Sequence, residues 1–226
     1  MSIIKINNLI KEDKMKLFIF IMVMLLPYKL FATSVIVSGD DYQNEGWIQW
    51  RLSAESYFYS PSTLIMPLTH DVLTVSQSSE YYYAIAHGYY NAMEPSWGET
   101  LYSEDLNKQQ FWFAFFGHCD GLCSTAPRTF ADSAVHSVGY CEMNSEYCYD
   151  CWNNAVWFQE VLFNELFING MSPQESFDAA MDQYPQCSGC IRYHHNPIPE
   201  NEEVITPVEN VVVNTIIPML ILNGEN

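Results

Sequence analysis

Apolar residues fall along this chain in short, dense runs separated by polar turn residues. Ser34–Ser38 (Ser-Val-Ile-Val-Ser) is the first, stopped by Gly39-Asp40-Asp41, and Ser62–Leu68 is the second. The third, Tyr81-Tyr82-Tyr83-Ala84-Ile85-Ala86, ends in His87-Gly88. The fourth, Phe111-Trp112-Phe113-Ala114-Phe115-Phe116-Gly117-His118, ends in Cys119-Asp120-Gly121. Runs of this length, rich in β-branched and aromatic residues and closed by turn residues, are the pattern of strands buried on both faces, as in a parallel sheet. Ser137–Tyr140 and Cys190–Tyr193 add two shorter strands.

Between them the period changes. Ala155, Val156, Phe158, Val161, Leu162, Leu166 and Phe167 recur at three- and four-residue steps, which predicts a helix over Trp152–Asn169 closed by Gly170. Ser172-Pro173-Gln174-Glu175 reads as an N-cap with proline at the first helical position, opening a helix that runs to Tyr184-Pro185. Helical character is also expected over Gln49–Ser56, from Ser103 as an N-cap, and over Thr129–Val135. Asp71–Ser79 reads as a short helix or loop, and Asn91–Thr100 as a polar connection.

Strands alternating with helices argue for a doubly wound α/β fold, a mostly parallel central sheet with helices on both faces. Right-handed crossovers bring the carboxyl ends of parallel strands to one edge, where ligands gather. His87 and Cys119 would share that edge. A thiol becomes nucleophilic near neutral pH when a base or a cation stands beside it, and an imidazole serves as both. Gly88 and Gly121 allow tight turns and close substrate approach, and backbone N–H groups at Gly88, Asp120 and Gly121 are candidates to hold an oxyanion. His118, adjacent to the thiol, should point to the opposite face of its strand and serve packing or hydrogen bonding. His70, His136, His194 and His195 read as structural or exposed.

The first 34 residues change the picture. Lys5, Lys11, Lys14 and Lys16 lead into an apolar stretch from Leu17 to Leu26, and Ala32 and Ser34 offer small residues for cleavage. This is the pattern of a secretory signal peptide, with Met15 as an alternative start and an uncleaved anchor as the other reading. The domain is then expected over residues 35–199, secreted or extracytoplasmic. The tail, 200–226, is acidic and then apolar from Val211 to Leu222, too short for a membrane span.

Beyond Ser34 only Arg51, Lys108, Arg128 and Arg192 are basic. Glu12 and Asp13 lie in the leader, so 25 of the 27 acids remain and the net charge there is −21. Such a surface repels phosphate backbones and makes nucleic acid an improbable partner. Its ordinary consequence is solubility; attraction of cationic substrates is the sharper alternative. Asp40-Asp41 fits a turn, a rim acid or a calcium ligand. Tyr81–Tyr83 and Tyr89-Tyr90 fit strand packing better than a carbohydrate-stacking platform.

All seven cysteines lie within residues 119–190. In an exported chain they should mostly form disulfides, and an odd count leaves at least one over. If Cys119 is that thiol, the other six make three bridges. Cys148-x-x-Cys151 and Cys187-x-x-Cys190 have the spacing of a tetrahedral zinc site, an alternative that export disfavours. A local Cys119–Cys123 bridge would mask the thiol.

An apolar block ending in His-Gly, followed some thirty residues later by an apolar block ending in Cys, resembles the caspase-like cysteine peptidases: caspases, metacaspases, legumains, clostripains and gingipains. The resemblance covers roughly Ser34 to Pro199, with Ser103–Leu106 and Ser137–Tyr140 in matching places. The helices ending at Gly170 and Tyr184-Pro185, followed by Ile191–Pro197, resemble the gingipain-like close of that fold. It implies a caspase-like three-layer sandwich and a cysteine endopeptidase acting on peptide or protein substrates. His87 would be the base and Cys119 the nucleophile of an acyl-enzyme mechanism that needs no cofactor. Metacaspase-like members carry an acid two residues before the cysteine, where this chain has Gly117, so specificity does not transfer. A non-catalytic exported module binding peptide or glycan on the same fold is the second reading, and a zinc-stabilised interaction protein the third.

Overall fold

The computed structural model describes residues 33–39, 47–65, 79–94, 100–123, 129–143 and 145–197. Residues 1–32 of the expected leader, Asp40-Asp41, His70, residues 71–78 of the connection and the apolar tail lie outside the described residues.

The strands are β1 (Ser34–Ser38), β2 (Pro61–Ile65), β3 (Tyr81–Ile85), β4 (His87–Tyr89), β5 (Ala92–Glu94), β6 (Leu101–Tyr102), β7 (Phe111–Gly117), β8 (Ala134–Tyr140) and β9 (Ile191–His195). Six of them form the central sheet in the order β2-β1-β3-β7-β8-β9. All its neighbours pair in parallel except β9, which runs antiparallel to β8. The chain steps from β1 out to β2 and then returns past β1 to β3. The strand order therefore reverses between β1 and β3, the kind of place where open α/β sheets form ligand crevices. This is a mostly parallel α/β sheet, as the buried apolar runs predict.

Both faces of the sheet are buried. On one, Tyr83, Ile85, Phe115 and Tyr140 pack against α1 (Gln49–Tyr57), α3 (Ala155–Phe163) and α4 (Pro173–Gln183). On the other, Tyr82, Ala84, Phe116 and Val37 pack against Met93, Leu101, Leu106 and Phe130. That second face is a departure from the expectation of helices on both sides. Among the described residues it is covered by the small antiparallel sheet β4-β5-β6 and by single 3₁₀ turns. The triple tyrosine is therefore core: Tyr82 and Tyr83 are fully buried, and Tyr82 stacks on Phe111 with centroids 4.7 Å apart. Only Tyr89 and Tyr90 of the proposed aromatic platform are exposed.

Three helices came out shorter than their patterns. Ser103–Asp105 is one 3₁₀ turn, and Asp105, not Ser103, closes it by accepting the Tyr102 N–H at 2.8 Å. Phe130–Ser133 is another, after which β8 begins earlier than foreseen. The long helix is divided into α2 (Tyr149–Trp152) and α3, which continues as a π turn over Asn164–Ile168. α1 and α4 follow their patterns closely. Ser172 Oγ accepts the Glu175 N–H at 3.3 Å, the Glu175 carboxylate accepts the Ser172 N–H at 3.1 Å, and Pro173 stands at the first position.

One polar contact ties α3 to the sheet and to α1. Gln159 is fully buried, accepting from the Tyr83 hydroxyl at 2.8 Å and donating to the Trp50 carbonyl at 2.9 Å. Gln159→Leu removes both bonds in a dry layer and is expected to cost about 1–3 kcal/mol in urea unfolding. An unchanged midpoint would show that the amide contributes nothing net.

Candidate functional site

The strand register brings the segments that lead to His87 and Cys119 side by side. β3 and β7 are neighbours, with Ile85 opposite Gly117. His87 and Cys119 each lie two residues beyond that pair, past the ends of β3 and β7, where His87 opens β4 of the small sheet and Cys119 enters a turn. Alternation does the rest. Ala86 and His118 turn to the face of the small sheet, while His87 and Cys119 both border one cleft at the carboxyl edge.

That cleft encloses about 270 Å³ and is lined by Trp47, His87, Cys119, Met143, Ser145, Tyr149 and Trp152. Its wall is aromatic and braced. Trp152 stacks on Trp50 with centroids 5.4 Å apart, and Trp47 meets both edge-on, at 5.4 Å from Trp152 and 6.1 Å from Trp50. Of these residues the sequence pointed only to His87 and Cys119. Trp47 stands just before α1, and the rest sit on loops and short helices between cysteines, where no hydrophobic period marks them.

The cysteines account for that wall. Bridges join Cys123 to Cys141, Cys148 to Cys190 and Cys151 to Cys187, leaving Cys119 as the free thiol. Cys123 is therefore spoken for, and the local Cys119–Cys123 bridge is not formed. The zinc alternative at Cys148, Cys151, Cys187 and Cys190 is overturned for the same reason, because sulfurs joined in disulfides are not thiolate ligands. The first bridge fastens the turn after Cys119 to the end of β8, next to Met143. The other two fasten α2, which carries Tyr149 and Trp152.

The turn itself is tightly held. Asp120 adopts a left-handed conformation (φ +62°), and its Oδ1 accepts the Glu142 N–H at 2.8 Å. The Gly121 N–H donates to the His118 carbonyl at 3.1 Å, so it closes the turn and is not a free oxyanion donor. Gly88 and Gly121 also leave room for a neighbouring ring. A Cβ on Gly88 would lie 2.5 Å from the Ala92 carbonyl oxygen and 2.9 Å from His118 Cδ2, and one on Gly121 would lie 2.8 Å from His118 Cε1. The imidazole of His118 is thus a wedge between β4, which carries His87, and the turn that carries Cys119, with Phe130 edge-on at 4.7 Å.

His118 is fully buried, and burial pushes its pKa down to about 3. The Cys119 thiol is pushed up, first by burial and then by the Asp120 carboxylate, with a backbone N–H pulling the other way. For His118 the sign is definite. An unfolded histidine takes up a proton near pH 6.5, while the buried ring stays neutral until about 3. Stability is complete above the first value and falls as pH drops toward the second. His118→Leu is expected to flatten this acid limb in urea midpoints measured from pH 7 to pH 4. His136 would retain a share of the slope; burial and then His195 push it down to about 4. A limb as steep as the wild type would refute the buried neutral ring.

His136 bonds the Tyr193 hydroxyl at 2.7 Å and stacks on His195, and His194 bonds Asn196 at 2.9 Å, so these three histidines stand apart from the cleft. Comparison of the chain with protein-family models and with curated proteins finds no match.

Proposed function

We propose that this chain is an exported cysteine endopeptidase of the caspase-like kind, with Cys119 as nucleophile and His87 as base. The observation that carries this reading is the convergence of the unbridged cysteine and His87 on one cleft at the carboxyl edge of adjacent parallel strands. His87 takes the thiol proton as sulfur bonds to the substrate carbonyl carbon, then delivers it to the departing amine. Water, activated by the same imidazole, releases the acyl group and restores the thiol. Backbone N–H groups at Gly88 and Asp120 are the proposed oxyanion donors. The three disulfides support a site of action in an oxidising compartment, and among the described residues no helix is long and apolar enough to cross a membrane.

A second reading, a peptide-binding module with an inert thiol, is favoured by the upward push on the Cys119 pKa. Intact-mass labelling with a peptidyl acyloxymethyl ketone separates the two. One adduct per chain is expected on the wild type, none on Cys119→Ala, and a much slower one on His87→Ala. Equal labelling of the wild type and His87→Ala would sink the dyad.

A further inference from the structure

We infer that the cleft beside Cys119 selects a large apolar side chain, aromatic for preference, on the substrate residue whose carbonyl meets the thiol. The placement of that carbonyl rests on the peptidase reading; the chemistry of the pocket does not.

The walls are the first ground. Besides His87 and Cys119, the lining consists of Trp47, Trp152, Tyr149, Met143 and Ser145, with no carboxylate, lysine or arginine among the described residues. Of the acids next to the lining in sequence, Glu146 and Asp150 are exposed and are not among the lining residues, and two others are engaged. Asp120 holds the Glu142 N–H, and the Glu142 carboxylate accepts the Tyr147 hydroxyl. A charged side chain entering this space would lose water without gaining a counter-ion. An aromatic ring would meet ring edges and faces in the arrangements that aromatic pairs prefer.

Size is the second. A dry protein cavity of about 150 Å³ suffices to hold benzene, and the cleft offers about 270 Å³. It takes one phenyl or indole ring and falls short of the usual range for an extended small-molecule ligand, about 300–1,000 Å³. Rigidity is the third. Trp152 is stacked on Trp50, crossed by Trp47, and anchored by the bridge at Cys151, so little ordering is left for the substrate to impose. The acidic surface of the chain draws cations at long range, but that field governs encounter more than fit.

The test uses the full-length protein with its disulfides intact. Acyloxymethyl ketones carrying Phe, Leu, Ala, Asp or Arg next to the warhead are compared by their second-order rates of Cys119 alkylation. Phe and Leu are expected to react about tenfold faster than the rest, or more. Tyr149→Ala removes a largely exposed ring and is expected to reduce the Phe/Ala ratio several-fold. In parallel, Cys119→Ala is titrated with N-acetyl-phenylalaninamide and N-acetyl-argininamide by tryptophan fluorescence, with the first expected to bind and the second not. A preference for Arg or Asp overturns the inference and leaves the dyad standing. Binding of the Phe amide without alkylation of the wild type upholds the pocket and overturns the peptidase reading. Absence of both overturns both.

Discussion

His87→Ala is expected to slow Cys119-dependent peptide hydrolysis about 10²–10⁴-fold near neutral pH, the range for loss of a positioned base. Cys119→Ala should abolish it. The reason lies in the thiol's surroundings. Burial and the Asp120 carboxylate both push its pKa up, so without a base the thiolate fraction at neutral pH is below that of an ordinary cysteine. The sign follows directly. A raised thiol pKa keeps the neutral form to higher pH, so alkylation of His87→Ala should climb with pH past the ordinary thiol range, whereas the wild type levels off earlier. Adding Asp120→Asn should move the His87→Ala profile back down. The amide still offers an oxygen to the Glu142 N–H that Asp120 now accepts, while the repelling charge is gone. Iodoacetamide rates read by mass spectrometry across pH give all three curves, and superimposed wild-type and His87→Ala profiles would dismiss the imidazole as the base.

Removing both nested disulfides, with all four cysteines changed to Ala, is expected to cost about 6 kcal/mol. Removing either one alone should cost only about 2 kcal/mol. Cys148–Cys190 and Cys151–Cys187 span 42 and 36 residues and enclose nearly the same loop. Either bridge closes that loop, which constrains the unfolded chain by about 4 kcal/mol. The second then closes just the small ring between them, worth about 2 kcal/mol. The pair should therefore be strongly non-additive. Urea titrations of the two single-bridge variants and the four-cysteine variant measure this. A loss for the four-cysteine variant equal to the sum of the single losses would contradict the nested-loop account. Against a total domain stability of 5–15 kcal/mol, loss of both bridges threatens the fold. It also frees α2, so strong reductant should loosen the wall formed by Tyr149 and Trp152 even where the sheet survives.

The parts of this fold legible in the sequence are those whose code is local. β1, β3 and β7 announce themselves because strands buried on both faces need uninterrupted apolar residues. α4 announces itself because its capping box and proline act within one turn. The 3₁₀ turns at Ser103–Asp105 and Phe130–Ser133 were harder: their capping chemistry is that of a helix start, yet neither continues beyond one turn. β4, β5 and β6 escaped notice because strands of two or three residues carry too few positions to show alternation.

The same division runs through the site. By itself the sequence determined that His87 and Cys119 each follow an apolar strand, that seven cysteines cannot all pair within one chain, and that His118 should face away from the thiol. These follow from strand periodicity and parity, which need no knowledge of distant contacts. Only the tertiary structure decided that β3 and β7 are neighbours and that His87 and Cys119 border one cleft. It alone decided that six particular sulfurs pair, that the His118 ring fills the space left by Gly88 and Gly121, and that Trp47, Met143, Tyr149 and Trp152 wall the cleft. Those facts depend on which segments meet across long stretches of chain. Loop closure and side-chain packing set them, and neither leaves a period in the sequence.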